Sequence, residues 1–426
     1  MHAAHDLLRF IDDSPAPRLA AEALTDRLRA RGFTALSLLD EAWSLPEGGY
    51  YVQRGATVIA FRLRGPRVRR FAAVGAHTDS PHLRLKPRPA YVTEGVLQLG
   101  VEVYGGVLWN SWLDRDLGLA GVVHTADGAE HAVRIHRPLA RVPQLAVHLD
   151  RKVNDEGLKL NPQTHLAPVW GLASPGVDPA ERLQALIADA CGARPQDLLA
   201  WDLSLYDLTP SALGGIDGEL IFAPRLDNLA SCHAGLLALL EAEAGVDDTV
   251  PVLACFDHEE IGSASVDGAD GTLFATVLER IVSARGGDRG AFHAAIAGSL
   301  MLSADMAHGV HPNYPDRHEP RHKPVMGGGP VLKSNHNQRY GTSVATAARL
   351  RALARAADVP LQDFVTRTDI ACGSTIGPIT ASRLGMAVVD LGDPMWSMHS
   401  ARECAATADH PRYVALLRQH LAAHAG

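Results

Sequence analysis

The chain has 426 residues but only five cysteines, Cys191, Cys232, Cys255, Cys372 and Cys404, and no Cys-x-x-Cys pair. An odd, scattered set makes no disulfide framework, and a reducing cytoplasm suits it best. Long basic runs are missing and the net charge is -8. Neither nucleic acid nor an anionic membrane is therefore expected as the main partner. No uninterrupted apolar stretch is long enough to span a bilayer. The opening Met1-His2-Ala3-Ala4-His5-Asp6 lacks the basic-then-apolar order of a signal peptide. Gly327-Gly328-Gly329-Pro330 lacks the Gly-Lys-Ser/Thr ending of a phosphate loop. Internal repeats and low-complexity segments are also missing.

What is present is enough apolar residue for a large core and enough length for two or three domains. Helical spacing marks Asp6 to Ile11 and Pro17 to Arg31, and Tyr50 to Arg64 alternates like a strand. After Pro87 the texture changes to short β-type segments, Val92 to Tyr104, Ala120 to His124 and Ala132 to Ile135, until helical spacing resumes at Pro179 to Ala190. From Leu220 onward strands and helices alternate. Helices are expected at 229–244, 269–284, 340–357, 380–384 and 411–423, and strands at 250–256, 298–303, 364–368 and 386–391. This pattern predicts an α/β three-layer sandwich with a largely parallel central sheet, built from 1–87 and 221–426, with residues 88–220 inserted as a mostly β domain.

The chemistry-bearing residues recur in one setting, just past the end of an apolar strand, where ligands gather in open α/β sheets. Val250 to Phe256 runs into Asp257-His258-Glu259-Glu260. Paired glutamates alone usually mean a solvated turn, but at the end of a buried strand they would need a compensating charge. His77 and Asp79 lie two apart in Gly75-Ala76-His77-Thr78-Asp79-Ser80-Pro81-His82, and so share a side of an extended chain. His77 could ligate a metal while Asp79 fixes its ring. Asp227 sits where a strand hands over to a helix, and reads equally well as an N-cap or as a carboxylate bridging two ions. Asp305 follows a strand of small and apolar residues. His399 is expected just before a helix carrying Glu403 in its first turn. His82 is expected to be structural, and His308 and His311 to lie at the surface or just behind the ligands. Two histidines and three carboxylates, His77, Asp227, Glu260, Asp305 and His399, suit two divalent ions of the zinc type sharing one carboxylate, with Glu259 left over as a base.

These stretches, with Pro224-Arg225-Leu226-Asp227-Asn228, Ser303-Ala304-Asp305-Met306-Ala307-His308 and Met398-His399-Ser400-Ala401-Arg402-Glu403, span nearly the whole chain. In that order they resemble the aspartyl aminopeptidases, a family of cocatalytic zinc metallopeptidases. The resemblance implies that His77 and Asp305 hold one ion, Glu260 and His399 the other, and that Asp227 bridges them. It implies Glu259 as general base, Asp79 as the residue orienting His77, and zinc as the metal, with Mn2+ or Co2+ an alternative at one site. The implied reaction removes an N-terminal residue, preferably Asp or Glu, from peptides.

Val331-Leu332-Lys333-Ser334-Asn335-His336-Asn337-Gln338-Arg339-Tyr340 also matches a family motif, making Lys333 the expected cation for an acidic side chain, ahead of Arg339. Pro143-Gln144-Leu145-Ala146-Val147-His148-Leu149 matches too. By resemblance His148 would reach a neighbouring subunit's site and stabilise the oxyanion, within a cytoplasmic homododecamer in which 88–220 serves as lid and dimerisation domain. Two rivals stand beside this reading. One is the same enzyme with broad or Leu-type preference. The other is a non-catalytic scaffold stabilised by metal.

Overall fold

In a computed structural model, which describes residues 2–242 and 248–422, the strands assemble into three sheets. The largest has nine strands. Its centre is four parallel neighbours, in the order Thr249–Phe256, Arg70–His77, Leu300–Ala304 and Ala387–Gly392. Antiparallel pairing enters toward the edges, where Thr57–Leu63 joins Thr249–Phe256 and Val331–Ser334 joins Ala387–Gly392.

The sequence dictates this burial on both faces. Along Arg70–His77, Ala72, Val74 and Ala76 enter one apolar cluster while Phe71 and Ala73 enter another. Thr249–Phe256 splits likewise, with Leu253 and Cys255 on the first side and Val252, Ala254 and Phe256 on the second. That is the two-residue period of a strand with both faces covered. Helices His2–Asp12, Pro17–Ala30, Leu226–Glu241, Val344–Ala356 and Asp409–Ala422 cover one face. Leu273–Ala284, Arg289–Ala297 and Ile376–Leu384 cover the other. The result is the expected three-layer sandwich.

A six-stranded, wholly antiparallel sheet occupies the middle of the chain, from His82–Thr93 to Leu198–Asp207. Helix Pro179–Cys191 packs on it around Leu183 and Ile187. The third sheet, of five short strands, includes Leu220–Ala223, Pro394–Trp396 and Glu403–Ala406.

Several expectations need correcting. Residues 50–64 are two strands of a hairpin, Gly48–Arg54 and Thr57–Leu63, turning at Gly55 with φ +54°. Only glycine adopts that backbone without a side-chain penalty. The helix expected at Glu403 is a strand instead, paired antiparallel with Leu220–Ala223. Helix Arg289–Ala297, capped by Asp288, was not foreseen. The expected helix ends at 243–244 and 423 lie outside the described residues.

Candidate metal centre

The parallel registration of three central strands decides where the site lies. Phe256 is paired with His77, and Ser303 with Gly75. The residues immediately past these strands therefore emerge side by side. Asp227 joins them from the start of Leu226–Glu241, at a cis Asp227–Asn228 peptide. Asn228 donates its side-chain N–H to the Ala304 carbonyl at 2.8 Å, tying that helix start to the strand carrying Asp305. His399 arrives on the turn after Pro394–Trp396. Backbone with positive φ clusters at these points, at Arg225, His258, Ser397 and His399. Such conformations are costly for residues with a Cβ and concentrate at functional sites.

The side chains converge on two triads that share Asp227: His77, Asp227 and Asp305, and Asp227, Glu260 and His399. His77 Nε2 lies 3.4 Å from Asp227 Oδ1 and 3.6 Å from Asp305 Oδ1. His399 Nε2 lies 3.3 Å from Asp227 Oδ2 and 3.4 Å from Glu260 Oε2. The two oxygens of Asp227 thus face opposite ways. Ligands about 2.1 Å from a tetrahedral zinc sit about 3.4 Å apart, so these spacings suit zinc. Asp227 Oδ1 and Glu260 Oε1 are buried without a hydrogen-bond partner. A buried carboxylate oxygen left unpaired is what a bound cation would satisfy.

The electrostatics agree. Burial, reinforced by neighbouring carboxylates, pushes Glu259 up to about 8 against the opposing pull of His77. Burial and the Asp227 charge raise Glu260 well above its ordinary value. Burial opposes charge on His77, yet Asp227, Asp305 and Asp79 outweigh it and hold the ring well above its usual range. The site gathers more carboxylates than its imidazoles and one ammonium can balance, and a divalent cation supplies the missing charge.

Asp79 is fully buried beside the two triads. Its main-chain oxygen is 2.9 Å from His77 Nδ1 and its carboxylate 3.4 Å away. The carboxylate accepts the backbone N–H groups of both Glu259 and Glu260 at 3.1 Å. Glu403 does a parallel service, accepting the N–H of Asp227 at 3.1 Å and of His399 at 2.7 Å. Its role was not foreseen, because a carboxylate four residues beyond a histidine looks like a helical first turn. Glu259 stands 4.0 Å from His77 Nε2, at the mouth of the first triad.

Lys333 lines the same cleft, of about 550 Å3, together with Met306, Arg339 and Tyr340. Its ammonium is buried, donates to the Met306 carbonyl at 3.2 Å and lies 3.4 Å from Asp305 Oδ2. His148 is the one expected site residue that the fold does not bring to the cluster of its own chain. It sits on an exposed turn, beyond strand Glu130–Ala140. His82 is buried and stacked on Tyr104 at 4.5 Å, as a structural residue would be.

Among the described residues no helix is long and apolar enough to cross a membrane. The chain matches the family described as "Aminopeptidase I zinc metalloprotease (M18)" over residues 10–420. A protein of Streptomyces coelicolor called "Probable M18 family aminopeptidase 2" is 48% identical over 414 residues, covering 96% of this chain and 95% of that one. Its namesake in Pseudomonas aeruginosa is 47% identical over 421 residues, covering 96% of each. Among solved structures, the cryo-EM structure of the Ape4 and Nbr1 complex superposes with a TM-score of 0.94 at 38% identity, covering 99% of this chain and 85% of that chain. The S. cerevisiae mApe1 dodecamer gives 0.85 at 27% identity, covering 98% and 95%. The converging side chains and these likenesses agree: the chain belongs to the M18 family of metallopeptidases and is a zinc aminopeptidase.

Proposed function

We propose that this aminopeptidase uses two zinc-type ions and removes an N-terminal Asp or Glu from peptides. The observation carrying the two-ion reading is the bridging posture of Asp227, whose two oxygens face different histidines. His77 and Asp305 would hold one ion, His399 and Glu260 the other, with Mn2+ or Co2+ able to replace zinc at one of them. When bound, such a pair polarises a carbonyl and makes water nucleophilic at neutral pH. Glu259 takes the proton from that water and returns it to the departing amine. Asp79 fixes the turn that carries Glu259 by holding its backbone N–H.

Acidic preference is assigned to Lys333. A lysine has three N–H donors; the Met306 carbonyl engages one and Asp305 lies 3.4 Å away as an ion pair, leaving a donor for a substrate carboxylate. That same ion pair favours a second reading, in which Lys333 serves Asp305 and the enzyme has broad or Leu-type preference. Turnover of Asp- and Leu-nitroanilides by Lys333→Ala separates the two. The acidic reading expects the Asp/Leu ratio in kcat/KM to fall at least about tenfold, and an unchanged ratio rejects it.

The assembly reading is that residues 88–220 form a lid and dimerisation domain in a cytoplasmic homododecamer, with His148 of one copy completing the site of another. Its support is the exposed turn bearing His148 among exposed Leu145, Val147 and Leu149, and the dodecameric state of the yeast neighbour.

A further inference from the structure

The six-stranded sheet does more than stand beside the metal cluster. Its strand Val96–Tyr104 ends in Tyr104-Gly105-Gly106, which runs along both ligand triads. Tyr104 donates its hydroxyl to Asp79 Oδ2 at 2.8 Å. That carboxylate is the one holding the N–H groups of Glu259 and Glu260 and facing the ring of His77. Two residues on, the Gly106 carbonyl accepts the Nδ1–H of His399 at 3.0 Å, which leaves Nε2 free to face Asp227 and Glu260. The chain then stays with the His399 turn. Leu108 donates its N–H to the His399 carbonyl at 3.0 Å, and Ser111 Oγ accepts the N–H of Ala401 at 2.9 Å.

The two glycines make this closeness sterically feasible. A Cβ on Gly106 would stand 3.1 Å from His399 Nδ1, and one on Gly105 would stand 3.1 Å from Glu260 Cβ. Gly105 also has φ +70°, which a residue with a Cβ rarely adopts. One short segment of the six-stranded sheet therefore touches what holds each half of the cluster.

We propose that Tyr104-Gly105-Gly106 is a strap that positions both histidine ligands, so that metal affinity depends on how the six-stranded sheet is seated. Tyr104 acts through Asp79 on His77 and on the turn of Glu259 and Glu260; Gly106 acts directly on the ring of His399. They are positioning residues, touching neither substrate nor the scissile bond. The inference rests on His77 and His399 being ligands, as proposed above. Groups that orient a ligating histidine commonly change metal affinity by about 10- to 100-fold.

The test is a zinc competition titration against a chelating dye, run on the full chain. Wild type is compared with Tyr104→Phe, Gly106→Ala and a control, Gly100→Ala, in the same strand. A Cβ at Gly100 meets nothing closer than 3.5 Å. The expected result is two tight zinc equivalents in wild type and in the control. Tyr104→Phe and Gly106→Ala should each weaken one equivalent by about 10- to 100-fold. At saturating zinc, the two strap variants should show lower kcat with KM unchanged. The metal-free melting temperature of each variant is recorded alongside, and weaker zinc binding by a variant that is still fully folded without metal at the titration temperature separates positioning from folding. Wild-type zinc affinity in both strap variants overturns the strap while leaving the ligand assignment standing. If His77→Ala and His399→Ala also bind zinc like wild type, the ligand assignment fails and the strap falls with it.

Discussion

Glu259 and Glu260 are neighbours in sequence with different surroundings, and that difference can be tested by charge removal alone. Glu260 Oε2 faces His399 at 3.4 Å and its other oxygen is buried without a partner, as a ligand's would be. Glu259 reaches His77 only at 4.0 Å. Glu259→Gln is therefore expected to keep its zinc, measured by elemental analysis after gel filtration, while kcat drops by about 10²- to 10⁴-fold. Glu260→Gln should instead lose zinc first and recover part of its rate when zinc is added in excess. Equal zinc loss in the two variants would contradict the division of labour. At this scale much was legible from sequence. His77, Asp227, Glu260 and Asp305 lie at or just past the end of an apolar strand or at the start of a helix, as expected, whereas His399 follows a strand without the helix expected after it. Tyr104 was not legible. Its hydroxyl matters only because a strand from another sheet passes over Asp79, and no local pattern encodes that contact.

The elements were readable wherever one period dominated. Val250 to Phe256 is apolar throughout and forms the buried strand Thr249–Phe256, and Pro179–Cys191 kept its 3.6-residue spacing between Pro at its first turn and Gly192 after its last. Failures came where tertiary pairing overrode local spacing. Glu403 has helical offset from His399, but Glu403–Ala406 is claimed by Leu220–Ala223 as a strand partner.

Helix Asp409–Ala422 also carries a pH consequence. His420 is buried, its Nε2 lying 3.1 Å from the Ala73 carbonyl and 3.2 Å from that of Leu300. Burial lowers its pKa from 6.5 to about 4, the carbonyls only partly offsetting that. The unfolded chain then takes up a proton before the folded one does. Stability present above pH 6.5 is lost as pH falls toward 4, by on the order of 3 kcal/mol for this group. Thermal melts of chelator-treated protein between pH 7.5 and pH 4.5 should show Tm falling with pH. His420→Gln, which still offers an N–H but does not titrate, should flatten that fall. An equal slope in the variant would mean that other groups govern it.

At the scale of the whole molecule, one chain holds the proposed ligands and base but leaves His148 away from them, on an exposed turn. Leu145, Val147 and Leu149 stand 59%, 49% and 75% exposed on the same short stretch. Three large exposed apolar residues so close together suit a surface that another copy covers. If His148 of one copy completes the site of its neighbour, two inactive variants can repair each other. Glu259→Gln lacks its own base but still lends His148. His148→Ala keeps Glu259 but receives no histidine from copies like itself. Co-expressed under two different tags and purified through both, mixed assemblies contain His148→Ala sites served by Glu259→Gln neighbours. Their specific activity should rise well above that of either variant alone, approaching one quarter of wild type when copies mix at random in equal amounts. That fraction is the chance, about one half each, that a site keeps its base and that its neighbour keeps its histidine, reasoned as for any interface shared between identical subunits. Activity no higher than the mean of the two parents would place His148 within its own chain's reaction or outside the reaction altogether.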